Sequence, residues 1–192
     1  MSGKKIHYFL ILIVLVSILF PLNAEDKRTI PVDMYLIIDG SSSLQNSKSD
    51  ILAWINEQVI DRILTGGDSI TIWTAGNRPE LIYSETPSDN AAKQALKDRL
   101  ASINTSGNNA DFSGALREAA SRVSQTSRDR LAITMLITAS AEVIEPAITG
   151  SGQGLLRWFR SEKYERWQVL IVGTDIGLRV RQAAASYMSS RR

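Results

Sequence analysis

The stretch YLIIDGSSS (35–43) ends an apolar run in Asp39, with Ser41 and Ser43 two and four places further on. One carboxylate and two hydroxyls at this spacing are hard oxygen donors. Such donors suit a magnesium-type ion, which takes about six oxygen ligands and keeps several waters. The same residues also suit a structural task, because aspartate and serine at the start of a loop or helix accept hydrogen bonds from backbone N–H groups. Asp111, Ser140 and Glu142 carry oxygens that could join Asp39 if the chain brings them near.

Other chemistry is excluded by composition. The only histidine is His7, and there is no cysteine anywhere. Beyond residue 7 the chain therefore has no Ser-His-Asp triad, no cysteine nucleophile and no His/Cys zinc site. A serine nucleophile among Ser41–Ser43 lacks a histidine to activate it, and no spacing points to a lysine base. Phosphotransferases of the haloacid dehalogenase type need a second aspartate two residues after the first, where this chain has Ser41. Gly173-Thr174-Asp175 lacks the further glycines of a phosphate-binding loop, so Asp175 reads as a helix cap.

The elements that must position Asp39 are legible in the apolar pattern. MYLIID (34–39), LAITMLIT (131–138) and QVLIVGT (168–174) are continuous apolar runs, as in strands buried on both faces. DSITIWTAG (68–76) alternates like a strand, and ELIYSE (80–85) follows as its hairpin partner. Between them, residues 49–64, 88–103 and 111–124 have helical spacing, with Ser49 as an N-cap and Gly66-Gly67 as a stop. The amphipathic stretch 152–167 and the segment 176–188, with Leu178, Val180, Ala184 and Tyr187 facing inward, read as further helices. Strands alternating with helices predict an α/β fold: a doubly wound, mostly parallel central sheet with helices on both faces. Ligands of such sheets bind at the carboxyl ends of the strands. The loops 39–46, 104–111, 138–145 and 173–176 are expected to converge there.

The first 24 residues differ from the rest. Lys4 and Lys5 precede the apolar run 9–20, and small Ala24 precedes Glu25-Asp26. That order matches a secretory signal peptide, and the run is short for a spanning helix, which needs about 20 apolar residues. The domain division expected is a signal peptide at 1–24, or an N-terminal membrane anchor if uncleaved, and one domain at 25–192. Either reading exports the domain to the periplasm, the cell surface or the medium, and any membrane contact runs through residues 9–20. Residues 1–24 hold two lysines and no acid, so the remainder carries 20 basic and 20 acidic residues. That balance argues against nucleic acid as the partner.

Asp39-Gly40-Ser41-Ser42-Ser43, after a buried strand and before a helix, resembles the D-x-S-x-S motif of von Willebrand factor type A (vWA) domains. TGGDSITIWTAG (65–76), NNADFSGAL (108–116), MLITASAE (135–142) and QVLIVGTDIG (168–177) resemble successive elements of that family in the same order. The resemblance covers residues 33–190 and implies a Rossmann-like vWA fold. It also implies a metal-ion-dependent adhesion site (MIDAS) to which Asp39, Ser41 and Ser43 would contribute. The family's remaining threonine and aspartate fall on Ala110 and Ala139, so the site is incomplete, with Asp111 and Glu142 as possible substitutes.

The expected function is an exported protein–protein interaction module, not an enzyme, needing no cofactor and independent of metal. Its partner is another protein, and its binding surface comprises Asp39, Ser41, Ser43, Asn108, Asn109, Asp111, Ser140 and Glu142. Two alternatives stay open: an Mg2+-dependent adhesion module with substitute ligands, and an Mg2+-dependent phosphoester hydrolase using Asp39, Asp111 and Glu142. A second candidate surface is the stretch 160–166 between Trp158 and Trp167, where aromatic and arginine residues suit an interface.

Overall fold

The computed structural model describes residues 28–149, 155–158 and 161–173. The expected signal segment and the expected helix at 176–188, with its cap Asp175, lie outside the described residues.

Among the described residues, five strands form one sheet in the order β3-β2-β1-β4-β5. They are β1 (Val32–Asp39), β2 (Ser69–Ala75), β3 (Pro79–Glu85), β4 (Leu131–Thr138) and β5 (Trp167–Gly173). β1 runs parallel to both β2 and β4, and β4 runs parallel to β5. Only β3 is antiparallel, and its register with β2 shifts at Ile72/Trp73. The helices are α1 (Lys48–Trp54), α2 (Asn90–Ala101), α3 (Phe112–Val123), α4 (Ala141–Thr149) and α5 (Leu155–Trp158).

Alternation along β1 divides the core in two. Met34, Leu36 and Ile38 pack with Ile55, Val59, Ile60, Leu96 and Leu100 from one helical layer. Tyr35 and Ile37 face the other way, against Phe112, Leu116, Ala119, Ile144 and Ile148. The side-chain period of two thus feeds both layers from one central strand. The fold is the α/β, mostly parallel sheet with helices on both faces that the apolar runs predict.

Four local expectations need correction. The first helical region begins before Ser49, which lies inside α1 and caps nothing. A 3-10 segment (Ser42–Ser47) leads into α1, which continues as a π-helix over Ile55–Ile63. Residues 138–145 are not one loop, because α4 starts at Ala141. Pro146 lies inside α4, where it removes one helical hydrogen bond. Burial of Ile144, Ala147 and Ile148 holds that helix together regardless. The stretch 152–167 is not one amphipathic helix: it contains the four-residue α5 and a 3-10 turn at Glu162–Tyr164. Finally, at the second candidate surface residues 161–163, 165 and 166 are exposed, but neither bracketing tryptophan is. Trp167 is buried and its indole N–H donates to Thr134 Oγ1 at 2.8 Å, while Trp158 packs on the same cluster with its ring 5.8 Å away.

At the amino ends of the strands sits a second polar cluster. Asp68 is buried, and its Oδ1 accepts from the Val32 N–H at 2.7 Å. Its Oδ2 accepts from the Thr65 N–H at 2.9 Å and from the Arg28 guanidinium at 3.0 Å. Asp33 accepts from Ser69 at 2.7 Å, Thr126 at 3.1 Å and Arg130 Nε at 2.7 Å. Next to it, burial pushes the Tyr35 hydroxyl above the usual tyrosine value. The Asp33 carboxylate adds to that rise, while the Thr126 contact, Arg122 and Arg130 oppose it.

Candidate functional site

Asp39 is the last residue of β1, so the strand delivers it to the carboxyl end of the sheet, beside the ends of β2 and β4. Its side chain is fully buried. Oδ1 accepts from the Ser41 N–H at 2.8 Å, the local turn that aspartate favours. Oδ2 accepts from Ser43 Oγ at 2.9 Å and from Thr138 Oγ1 at 2.8 Å. Ser41 Oγ and Ser43 Oγ lie 2.7 Å apart. The serine hydroxyls therefore bind Asp39 and each other. The backbone capping expected of this stretch comes down to the single Asp39–Ser41 N–H bond.

Backbone contacts bring the other loops in. The Gly40 N–H donates to Ala75 O at 2.8 Å, the Gly107 N–H to Gly40 O at 3.0 Å, and the Ser42 N–H to Gly107 O at 2.9 Å. A Cβ on Gly107 would stand 2.9 Å from Gly40 O, so this approach needs glycine. The Asp111 N–H donates to Gly76 O at 2.8 Å, which ties the 104–111 loop to the end of β2. On the remaining side, Thr138 Oγ1 accepts from the Ser140 N–H at 3.1 Å. Three of the four expected loops thus meet around Asp39; the loop 173–176 is described only at Gly173.

The individual site residues separate by exposure. Ser43, Asn108, Asn109 and Glu142 are exposed, Asp111 and Ser140 are half-buried, and Asp39 and Ser41 are buried. Asp111 is the N-cap of α3: its Oδ1 accepts from the Gly114 N–H at 2.7 Å. Its carboxylate lies so close over Gly114 that a Cβ there would fall 2.2 Å from Oδ2. Glu142 sits in the first turn of α4. Ala110 packs on the Tyr35–Phe112 cluster and Ala139 on the opposite cluster around Ile38 and Ile137. The two positions where the family resemblance implies oxygen ligands hold methyl groups resting on the core.

Thr138 is the site residue that the sequence reading missed. A threonine ending an apolar strand reads as a β-branched strand former, and only the parallel pairing of β1 with β4 places its hydroxyl on Asp39. The donors gathered here are one carboxylate and three hydroxyls. Among the described residues, no group of three or more His, Cys, Asp or Glu comes together to hold a metal ion.

Comparison with known proteins supports the architecture. No family model matches the chain. An uncharacterized protein of Treponema pallidum is 23% identical over 168 residues, which cover 82% of this chain and 75% of that one. Among solved structures, the manganese-loaded TRAP protein of Plasmodium vivax matches with a TM-score of 0.60 and 16% identity, over 81% of this chain and 63% of that one. Proximal thread matrix protein 1 from the mussel byssus matches with a TM-score of 0.56 and 16% identity, over 75% of this chain and 38% of that one. One structure of that mussel protein has a zinc-occupied MIDAS motif. The chain spans less than two thirds of either solved protein. These likenesses identify the fold of this chain as that of a vWA-type domain.

Proposed function

We propose that the chain is an exported protein-interaction module that binds another protein at the crevice around Asp39 and does so without a metal ion. The interaction surface is Ser43, Asn108, Asn109 and Glu142, carried on the frame that Asp39, Ser41, Asp111 and Ser140 hold. The observation behind this reading is the closure of Asp39. Ser43 and Thr138 of the same chain satisfy its outward oxygen, and alanines occupy positions 110 and 139. Export rests on the basic start, the short apolar run 9–20 and Ala24. Residues 1–24 are the removable segment in this reading, and 25–192 the working domain. Catalysis plays no part in this reading: beyond residue 7 the chain has no histidine to activate a crevice serine.

The test places a photo-crosslinking residue at Asn109 of the full chain in its own cells, with the same residue at exposed Arg117 on α3 as control. A covalent adduct at position 109 that survives chelator is the expected result. Loss of the adduct in chelator would replace this reading with the Mg2+-dependent adhesion module. Calorimetric titration with magnesium and manganese, with Asp39→Ala as control, gives the independent check: no heat up to millimolar metal is expected. Magnesium-dependent turnover across a phosphoester panel would move the assignment to a hydrolase. Intact-mass measurement of the chain from its cells reads cleavage after Ala24.

A further inference from the structure

The polar cluster at the amino ends of the strands borders a cleft of about 470 Å³. Its lining includes Tyr35 of β1, Thr71 of β2, Ser84 and Glu85 of β3, Arg122 of α3 and Thr126 just beyond it. β5 contributes nothing to this lining. The described chain before β1 leads to the opposite layer, since Arg28 bonds to the carbonyl of Ile63, which packs on the Leu36–Ile38 side. One pair of charges at the cleft cancels: Arg130 Nε donates to Asp33 at 2.7 Å. Arg122 differs. Its guanidinium lies over the Trp73 ring, 5.5 Å from the centroid, and Nη1 donates to Ser84 Oγ at 3.2 Å. Among the described residues no carboxylate lies within ion-pairing distance of it. Stacking on an indole fixes the plane of a guanidinium and leaves its edge for a carboxylate, its planar match. The floor of the cleft has the reverse polarity. Thr126 Oγ1 spends its one proton on Asp33 Oδ2 at 3.1 Å, because a carboxylate only accepts. The Tyr35 hydroxyl, 3.2 Å from Thr126 Oγ1, is therefore the donor in that contact. Its oxygen keeps an acceptor position that no described residue fills. Glu85, exposed at the rim, is a further acceptor.

We propose that this cleft binds an α-amino acid unit ending in a free carboxylate, with the carboxylate on Arg122 and the adjacent N–H on Tyr35 Oη. A plain anion would satisfy Arg122 alone and meet the acceptors Tyr35 Oη and Glu85 unfavourably. A plain cation would meet the unpaired guanidinium. A unit that presents an acceptor and a donor side by side suits both walls. A free amino acid and the last residue of a peptide share this chemistry. The cleft lies at the opposite end of the sheet from Asp39, so it stands or falls separately from the crevice reading.

The test is an NMR titration of the isotope-labelled full chain with three probes: N-acetylalanine, alanine, and N-acetylalanine amide, whose carboxylate is blocked. N-acetylalanine is expected to shift the Arg122 Nε–H and Trp73 indole N–H signals saturably at ~millimolar concentration, the range open to a ligand of so few atoms. The amide should shift neither. Read at Trp73, Arg122→Gln should weaken N-acetylalanine ~10-fold or more, the loss of a charge-assisted contact, and Tyr35→Phe ~3-fold, the loss of one neutral hydrogen bond. Arg117→Gln, at an exposed arginine of α3 outside the cleft, should change nothing. Tighter binding of alanine than of N-acetylalanine assigns the site to free amino acids, and the reverse order assigns it to a chain end; both uphold it. Circular dichroism confirms that each variant is folded, and the comparison of acid with amide needs no variant. Equal binding of acid and amide overturns the proposal. So does unchanged binding in Arg122→Gln or Tyr35→Phe, or the absence of a saturable shift with every probe.

Discussion

Two buried aspartates at opposite ends of the same sheet are neutralised by different means. Asp68, at the amino ends of the strands, takes two backbone N–H groups, the Arg28 guanidinium and, at 3.2 Å, the Thr65 hydroxyl. Asp39, at the carboxyl ends, takes one backbone N–H and two hydroxyls, Ser43 and Thr138. A buried carboxylate is costly unless it is paired or fully hydrogen-bonded. A guanidinium supplies full charge in a fixed geometry, whereas hydroxyls supply only dipoles and can rotate away. The first arrangement locks a turn. The second holds the crevice together with contacts that can be exchanged.

The comparison breaks first at Asp68. Asp68→Ala removes a charge pair and leaves two backbone donors with no acceptor, so a loss of about 2–4 kcal/mol in urea denaturation is expected. Asp39→Ala should cost less, roughly 1–2 kcal/mol, since exposed Ser43 can turn to water. If the Asp39 change costs more than the Asp68 change, the contrast drawn here is wrong. Asparagine sharpens it further. Asp39→Asn keeps an oxygen for the Ser41 N–H, and its amide N–H groups can donate to the Ser43 and Thr138 hydroxyls, which rotate to accept, so the urea midpoint should shift little. Asp68→Asn loses the partner of Arg28 and should shift it clearly more.

Smaller effects follow from neighbouring groups. Tyr35 is raised by burial, so the folded chain holds its proton at a pH where the unfolded chain releases it. Its contribution is complete below the unfolded value of ~10 and is lost as pH rises through the higher folded value. Thermal unfolding followed from pH 9 to 11.5 should show a steeper decline for the native chain than for Tyr35→Phe. The smallest change expected is a gain. Asn56 Oδ1 is buried without a hydrogen-bond partner. Asn56→Leu, similar in size, should raise stability by up to about 1 kcal/mol, read as a higher melting temperature.

Much of this arrangement is visible in the order of residues, and the rest is hidden for identifiable reasons. Continuous apolar runs give β1 and β4 with their burial on both faces, and the placement of Asp39 at a strand end; for β5 the run gives the strand but not its burial, since beyond Trp167 its residues are exposed or half-buried. The helix expected at 111–124 is legible, but that Asp111 stands just outside it as its N-cap shows only in the bond from the Gly114 N–H. Thr138 could not be found from spacing, since its partner is 99 residues away. α4 escapes because Pro146 signals a break that burial overrides. The charged stretch between the tryptophans at 158 and 167 is exposed as read, while Thr134, which receives the Trp167 indole N–H, lies 33 residues away and could not be found from spacing. Local signals thus name the elements, while contacts between distant segments decide what the side chains do.

The π-helical stretch Ile55–Ile63 has a further consequence. Its closing bond runs from the Leu64 N–H to Val59 O, five residues back at 3.0 Å. Ile55, Val59, Ile60 and Leu64 all reach the core across that wider turn. Such a turn accommodates one residue more than an α-helix over the same path. The segment is therefore a place where the chain can change length: deletion of exposed Glu57 would let the backbone tighten into an α-helix while β1 and β2, on either side, keep their pairing.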